Sequence, residues 1–200
     1  MKDINFLVVG VGGQGTVLAG DILSEVGMMA GYDAKKSDVL GLAIRGGSVV
    51  SHIRWGEKVD APLSMRGKVD YLVAFEPLEG LRQLEFLHEE STVVYNEYKI
   101  PPVVVSSGKA EYPADDKTRE AYEACSGKVF HFDATEKAVE LGGVKAVNVI
   151  LLGALSALLD VEPDTWKEAI QKYVKPKYQD LNMKAFDAGR EMIRERQGVK

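Results

Sequence analysis

Residues 4–15 read INFLVVGVGGQG, and this stretch decides the fold. Its first six residues are mostly apolar and often branched, which is typical of a parallel strand buried on both faces. The glycines that follow have the spacing G-x-G-x-x-G. Apolar residues then recur with helical spacing at Ala19, Ile22, Val26 and Met29. A strand, a glycine loop and a helix in this order predict the opening of a Rossmann-like α/β fold.

Further apolar patterns predict the rest of the sheet and its covering helices. Strands are predicted at residues 32–39, 48–55, 71–75, 92–95, 103–105 and 129–132. Helices are predicted at residues 78–90 and 135–141. In the first of these helices Leu81, Leu84 and Leu87 are expected to face inward. The polar stretch at residues 106–128 is interpreted as a surface excursion.

The C-terminal part, residues 145–200, is predicted to be helical. Its helices are expected at residues 147–159, at residues 164–174 and after Pro176. The first is apolar on nearly every side, so it is either a central buried helix or one covered by a partner. The complete pattern predicts a single domain over residues 1–200. Its expected architecture is Rossmann-like α/β, with a mostly parallel sheet flanked by helices.

Composition excludes several classes of function. The net charge of −5 argues against nucleic acid as a partner, because phosphate binding needs a dense basic face. Cys125 is the one cysteine, so the chain cannot supply the ligands of an iron–sulfur cluster. His52, His88 and His131 are scattered, which favours packing or surface positions over a metal site. Residues 147–159 are too short to cross a bilayer and no leader segment is evident, so a cytoplasmic location is expected.

The first glycine loop contains the candidate cofactor-binding residues. These are Gly10, Gly12, Gly13, Gln14 and Gly15. Small residues let the backbone approach a ligand, and a helix N-terminus presents unpaired N–H groups and partial positive charge to an anion. The alternative is that the glycines only permit close packing of the strand on the helix. A dinucleotide site would also need a ribose-binding carboxylate on the second strand, for which Asp33 and Asp38 are the two candidates.

A second glycine motif offers complementary chemistry. Arg45, Gly46, Gly47 and Ser48 provide a guanidinium, backbone amides and a hydroxyl within four residues. Such a group could clamp a phosphate or a carboxylate, or pair with an acidic surface on another subunit. A tight turn with an exposed arginine is the simpler alternative.

At these two loops the sequence resembles the gamma-type domain of pyruvate, ketoisovalerate and indolepyruvate ferredoxin oxidoreductases. The similar segments are GVGGQG at 10–15, GLAIRGGSVVSHIR at 41–54, AFEPLE at 74–79, NVILLGA at 148–154 and LNMKAF at 181–186. The resemblance therefore runs along nearly the whole chain. One departure is Ile44, which stands where the family usually has glutamine and lacks that residue's two donors and one acceptor.

The resemblance implies oxidative decarboxylation of a 2-oxoacid, such as indolepyruvate or another aryl pyruvate, with coenzyme A to give an acyl-CoA and carbon dioxide. Thiamine diphosphate with magnesium and the iron–sulfur clusters would lie on a larger partner subunit, which would pass electrons to ferredoxin. This chain would then shape the complex and help to place coenzyme A. Its catalytic residues are unknown, and a stand-alone dinucleotide-binding oxidoreductase or a purely structural scaffold remain alternatives.

Glu76 and Glu79 flank Pro77 where a predicted strand ends. An acid–base pair is one interpretation, because sites in α/β proteins form at the carboxyl ends of strands. Carboxylates in the first turn of a helix also interact favourably with its dipole, and this second interpretation is favoured.

Overall fold

The computed structural model describes residues 2–41 and 46–198. Its strands are β1 Ile4–Val11, β2 Asp33–Leu40, β3 Ser48–Gly56, β4 Tyr71–Ala74, β5 Thr92–Asn96 and β6 Lys128–Phe132. Its helices are α1 Thr16–Met29, α2 Pro77–Leu81, α3 Val103–Ser106, α4 Asp115–Cys125, α5 Ala134–Glu140, α6 Val147–Ser156, α7 Pro163–Tyr173 and α8 Gln179–Gln197. Single 3₁₀ turns lie at Leu84–Phe86, Val144–Ala146 and Pro176–Tyr178.

The six strands form one sheet in the order β2-β3-β1-β4-β5-β6. Strand β3 is antiparallel to both of its neighbours, whereas β1, β4, β5 and β6 pair in parallel. The predicted mostly parallel α/β sheet with flanking helices is therefore confirmed. It departs from a simple Rossmann order because β3 lies between β1 and β2. The second strand along the chain is consequently one place removed from the glycine loop.

Alternation along β1 creates a hydrophobic cluster on each face of the sheet. Phe6 and Val8 belong to the cluster that packs under α1, α6, α7 and α8, and Leu7 and Val9 belong to the cluster beneath α2 and α4. Period-two alternation is what places neighbouring side chains on opposite faces of a strand. Because both faces are covered, β1 reads as a continuous apolar run.

Helix α6 is a central helix of the first cluster, and every one of its residues is buried. It meets α8 backbone to backbone, because a Cβ atom added at Gly153 would lie 2.1 Å from the Phe186 carbonyl oxygen, and one at Gly189 would lie 1.9 Å from that of Ile150. The chain itself therefore covers this apolar segment. Within residues 2–41 and 46–198, no helix is both long enough and apolar enough to cross a membrane.

Three predictions about local structure were wrong. Residues 103–105 form helix α3 rather than a strand, and Val103 is 84% exposed. Pro101 and Pro102 precede it, and prolines cannot donate to a sheet ladder. The stretch 106–128 contains α4, whose buried Thr118 and Tyr122 show that it is part of the packed structure.

The third correction concerns residues 78–90. The helix ends at Leu81, and a 3₁₀ turn follows at Leu84–Phe86. Leu81, Leu84 and Leu87 still pack against the cluster beneath α2 and α4, as predicted. Residues three apart share one side of a 3₁₀ turn as well as of an α-helix, so the three leucines face inward in either structure.

Candidate functional site

The first glycine loop is tightly folded at the carboxyl end of β1. A Cβ atom on Gly10 would lie 2.8 Å from Gln14 Oε1, Phe75 Cβ and Thr16 Oγ1, so only glycine fits there. Gly13 and Gly15 have φ values of 107° and 85°, in the left-handed region that favours glycine. The loop conformation thus depends on glycine at two motif positions, Gly10 and Gly15, and also at Gly13 between them.

Gln14 braces this loop from within. Its Oε1 accepts a hydrogen bond from the Val11 amide at 2.7 Å, and its Nε2 donates to the Phe75 carbonyl at 3.1 Å. The side chain therefore ties the end of β1 to the end of β4. Its polar atoms are engaged inside the protein, which gives Gln14 a structural role in addition to its predicted position at the site.

The structure brings the two glycine motifs together. The Gly12 amide donates to the Gly47 carbonyl at 2.8 Å, and the Gly46 amide donates to the Gly12 carbonyl at 3.3 Å. Ser48 continues the contact as the residue opposite Val11 in the β1–β3 pair. Arg45, the predicted guanidinium of this motif, lies outside the described residues, as does Ile44.

The N-terminus of α1 forms the other side of the loop. The first amides of an α-helix have no partner within the helix. Gly15 is the N-cap residue and supplies no side-chain hydrogen bond, and the first turn contains no acidic residue. The partial positive charge of this helix end is therefore not offset by a carboxylate of its own first turn.

Two clefts flank the loop. The outer cleft, of about 430 Å³, is lined by Val11, Gly12, Gly13, Gly15, Thr16, Val17, Leu18, Asp21 and Val49. The inner cleft, of about 280 Å³, is lined by Gly13, Gln14, Tyr98, Ile100, Thr135, Val144, Lys145 and Val147. In the outer cleft the Asp21 carboxylate is paired with Lys36 Nζ at 2.7 Å. The buried Thr16 hydroxyl has no hydrogen-bond partner within the described part of the chain.

Glu76 caps the start of α2, as the sequence interpretation favoured. Its Oε2 accepts from the Glu79 amide at 2.9 Å. Its Oε1 accepts from the Ile100 amide at 3.2 Å and from the Tyr112 hydroxyl. Burial, followed by the hydrogen bond to Glu76, raises the pKa of Tyr112 far above its ordinary value. Sequence reasoning missed the last two partners, because they lie 24 and 36 residues away along the chain.

The two candidate ribose carboxylates are engaged elsewhere. Asp33 accepts from Lys35 Nζ and from the Val59 amide, both at 2.8 Å, and these bonds lower its pKa. Asp38 accepts from the Ser51 hydroxyl at 2.6 Å and from Lys36 Nζ at 2.8 Å. Both sit on β2, which β3 separates from β1. This arrangement disfavours the dinucleotide alternative.

The histidines have structural surroundings. His52 is buried, its Nδ1 accepts from the Ser64 amide at 3.3 Å, and burial lowers its pKa. His131 pairs with Glu97 and stacks on Tyr95. Across residues 2–41 and 46–198, no group of three or more His, Cys, Asp or Glu side chains is arranged to hold a metal ion.

A roomier cleft, of about 590 Å³, lies beyond the carboxyl ends of β5 and β6. Several of its charged groups are already paired with one another. Lys99 pairs with Asp115, and His131 pairs with Glu97. Size alone therefore does not mark the site, whereas the glycine loop combines bare backbone with an uncompensated helix N-terminus.

A glycine loop between a buried β1 and the N-terminus of α1, in a mixed sheet flanked by helices, defines a Rossmann-like α/β protein. The chain belongs to the pyruvate ferredoxin/flavodoxin oxidoreductase family, whose model matches residues 5–192. This confirms the resemblance inferred from the two segments that contain the glycine motifs and the three segments that follow them.

Two relatives are similar to this chain over all or nearly all of its length. It is 38% identical to indolepyruvate oxidoreductase subunit IorB of Thermococcus kodakarensis, with 100% of each chain covered. It is 40% identical to the subunit of the same name from Pyrococcus horikoshii, over 94% of this chain and 95% of the relative.

Solved structures share the fold. The keto/oxoacid ferredoxin oxidoreductase gamma subunit of Geobacter sulfurreducens has a TM-score of 0.67 at 23% identity, covering 96% of this chain and 98% of that one. A 2-oxoglutarate:ferredoxin oxidoreductase of Magnetococcus marinus, solved with 2-oxoglutarate, coenzyme A and succinyl-CoA bound, has a TM-score of 0.74 at 21% identity. The alignment covers 98% of this chain and 32% of that larger chain.

Proposed function

We propose that this chain is the small subunit of a 2-oxoacid:ferredoxin oxidoreductase that oxidatively decarboxylates indolepyruvate or another aryl pyruvate. Coenzyme A is the acyl acceptor, and the products are an acyl-CoA, carbon dioxide and reduced ferredoxin. Thiamine diphosphate, magnesium and the iron–sulfur clusters belong to a larger partner, so the chain alone has no turnover. Its own contribution is to hold coenzyme A at the first glycine loop, with Gly46, Gly47 and Ser48 of the second motif beside it.

One observation carries the ligand part of this proposal. The N-terminus of α1 opens on a cleft lined by Gly12, Gly13 and Gly15, and neither a side-chain cap nor a first-turn carboxylate neutralises it. Backbone amides and a positive helix end together favour a phosphate group. Coenzyme A carries phosphates, and the reaction named above needs it. The substrate part rests on the names of the indolepyruvate oxidoreductase relatives, which align over nearly their full length.

A purely structural scaffold is the second candidate, and the Gln14 brace favours it. Both polar atoms of that side chain, and the Gly12 amide and carbonyl, are satisfied inside the protein. On this alternative the glycines serve only the packing of β1, α1 and the second motif. The two candidates predict different effects of a negative charge placed at the outer cleft. The charge weakens coenzyme A binding only if the loop holds coenzyme A.

Val17→Asp makes that distinction. Val17 lies in the first turn of α1 and lines the outer cleft. A carboxylate there interacts favourably with the helix dipole but repels a bound phosphate. In the complex with the larger subunit we expect unchanged assembly and a KM for coenzyme A raised about tenfold, the equivalent of ~1.4 kcal/mol. Ferredoxin reduction with indolepyruvate at varied coenzyme A is the measurement.

Val17→Asn is the matched control, because asparagine has nearly the same shape as aspartate but carries no charge. Its KM for coenzyme A should stay close to that of the wild type. Equal KM values for the wild-type, Asp and Asn complexes would overturn the anion site and leave the scaffold role. A complex that turns over other 2-oxoacids and not aryl pyruvates would overturn the substrate assignment alone.

A further inference from the structure

We propose that Glu76 is a positioning residue for the coenzyme A site, acting through the wall of the inner cleft. The proposal rests on the function assigned above for the identity of the ligand. Glu76 does not line either cleft beside the glycine loop. It holds the segment 97–102, which supplies two of the residues that do.

The contacts of Glu76 join three parts of the chain. The side chain is almost fully buried, with 1% of the residue exposed. One oxygen receives the Glu79 amide of α2, and the other receives the Ile100 amide and the Tyr112 hydroxyl. Tyr112 is fixed in turn, because its hydroxyl oxygen accepts from the Leu78 amide at 3.2 Å. A carboxylate can accept all three donors at once, since its two oxygens offer about four lone-pair sites.

The segment held in this way forms part of the wall of the inner cleft. Tyr98 and Ile100 line this cleft together with Gly13 and Gln14 of the glycine loop. The segment leaves β5 with the Glu97 amide bonded to the Phe132 carbonyl at 3.1 Å, and its next described backbone anchor is the bond from Ile100 to Glu76. Pro101 and Pro102 follow, and their fixed φ angles limit how the segment can adjust.

The inner cleft suits the arm of coenzyme A rather than its phosphates. Ile100, Val144 and Val147 are apolar, Tyr98 adds an aromatic ring, and Lys145 is the one charged group among the lining residues. Gly13 lines both clefts, so one ligand can reach from the helix N-terminus into the inner cleft. The phosphates then lie at α1, and the uncharged arm lies against Tyr98 and Ile100.

Glu76→Gln and Tyr112→Phe test the proposal in the assembled complex. Glutamine must turn its NH₂ group toward at least one N–H or O–H donor, and phenylalanine removes the hydroxyl bond to Glu76. We expect both variants to raise the KM for coenzyme A about tenfold, while kcat at saturating coenzyme A stays within about twofold of the wild type. Inhibition by adenosine 3′,5′-bisphosphate, which has phosphates and no arm, should keep its wild-type constant.

Tyr122→Phe is the matched control. Tyr122 is also buried, and its hydroxyl also bonds at the start of α2, to the Pro77 carbonyl at 2.8 Å. Within the described residues its hydroxyl makes no hydrogen bond to Glu76 or to residues 97–102. Its KM for coenzyme A should therefore equal the wild-type value. A general loosening of α2 would instead raise the KM in both tyrosine variants.

Two results would overturn the inference. One is an unchanged KM for coenzyme A in the Tyr112→Phe complex. This result overturns the role of Glu76 even if the Glu76→Gln variant fails to assemble. The other is an equal rise for Tyr122→Phe. If Val17→Asp raises the KM while Tyr112→Phe does not, the proposed function stands and only the role of Glu76 is lost. If neither raises it, the coenzyme A site itself is wrong.

Discussion

The two sides of the first glycine loop are built differently. On the inner side Gln14 spans from the Val11 amide to the Phe75 carbonyl, and Gly10 leaves no room for a side chain. On the outer side α1 begins without a cap, and the Thr16 hydroxyl is buried without a partner in the described chain. One side maximises its internal hydrogen bonds, and the other leaves donors unused. The inner side therefore stabilises the loop, and the outer side is the part whose donors can bind a ligand.

Gly10, at the inner side, should be more sensitive to added volume than Gly13, which lines both clefts. A Cβ atom at Gly10 meets three atoms at 2.8 Å, whereas one at Gly13 meets nothing within 4 Å. We expect Gly10→Val to lower the free energy of unfolding by about 3 kcal/mol through overpacking. Gly13→Ala should cost only about 1 kcal/mol, from the strain of its left-handed backbone. Urea denaturation measures the free energy of unfolding of both variants. A larger loss for Gly13→Ala than for Gly10→Val would contradict this prediction.

Removing the brace should have a somewhat smaller effect. Gln14→Leu leaves the Val11 amide without its acceptor, while the Phe75 carbonyl keeps its bond from Asn96 Nδ2 at 3.2 Å. A buried donor left unsatisfied costs about 1–3 kcal/mol, and we expect a loss near 2. Gln14→Glu keeps the acceptor for Val11 but sets a second acceptor oxygen against the Phe75 carbonyl, so a smaller loss than for Gln14→Leu would assign the stabilisation to the Val11 bond. Equal losses for both variants would place the stabilisation in the Phe75 bond instead.

The outer side should tolerate loss of its polar group. Thr16→Val replaces a buried hydroxyl that has no partner in the described chain with a methyl group of similar size. Because an unsatisfied buried hydroxyl is unfavourable, stability should be unchanged or higher by about 0.5–1 kcal/mol. Thermal unfolding of the chain is the measurement. A clear destabilisation would mean that the hydroxyl has a structural partner and that the two sides of the loop are alike.

The sequence predicted the elements whose signal is local. The apolar runs of β1, β4 and β5 and the glycine spacing before α1 are read directly from neighbouring residues. Residues 103–105 misled, because three valines favour a strand by propensity while the two preceding prolines prevent the ladder from forming. The position of β3 between β1 and β2 was also missed, since pairing order depends on contacts distant in sequence.

At the candidate site, too, local features were predicted from the sequence and contacts between distant residues were not. The residues of both loops were found from their spacing, but their mutual contact was not predicted, because it joins segments that are distant in sequence. The bonds from Ile100 and Tyr112 to Glu76 could not be found, because nothing local marks a backbone amide 24 residues away as a partner. The binding role of the loop residues, Arg45 among them, stays a prediction, as does the single domain over residues 1–200.

Hydrogen exchange of the loop amides shows directly whether coenzyme A binds at the first glycine loop. The assembled complex would be compared with and without saturating coenzyme A, following peptides that cover residues 12–18 and, as a reference, residues 163–173 of α7, which line neither cleft beside the loop. If coenzyme A is held at the N-terminus of α1, it should slow exchange at residues 12–18 by about tenfold or more and leave the reference unchanged. Unaltered exchange at residues 12–18, in a complex that turns over with coenzyme A, would contradict binding at this loop.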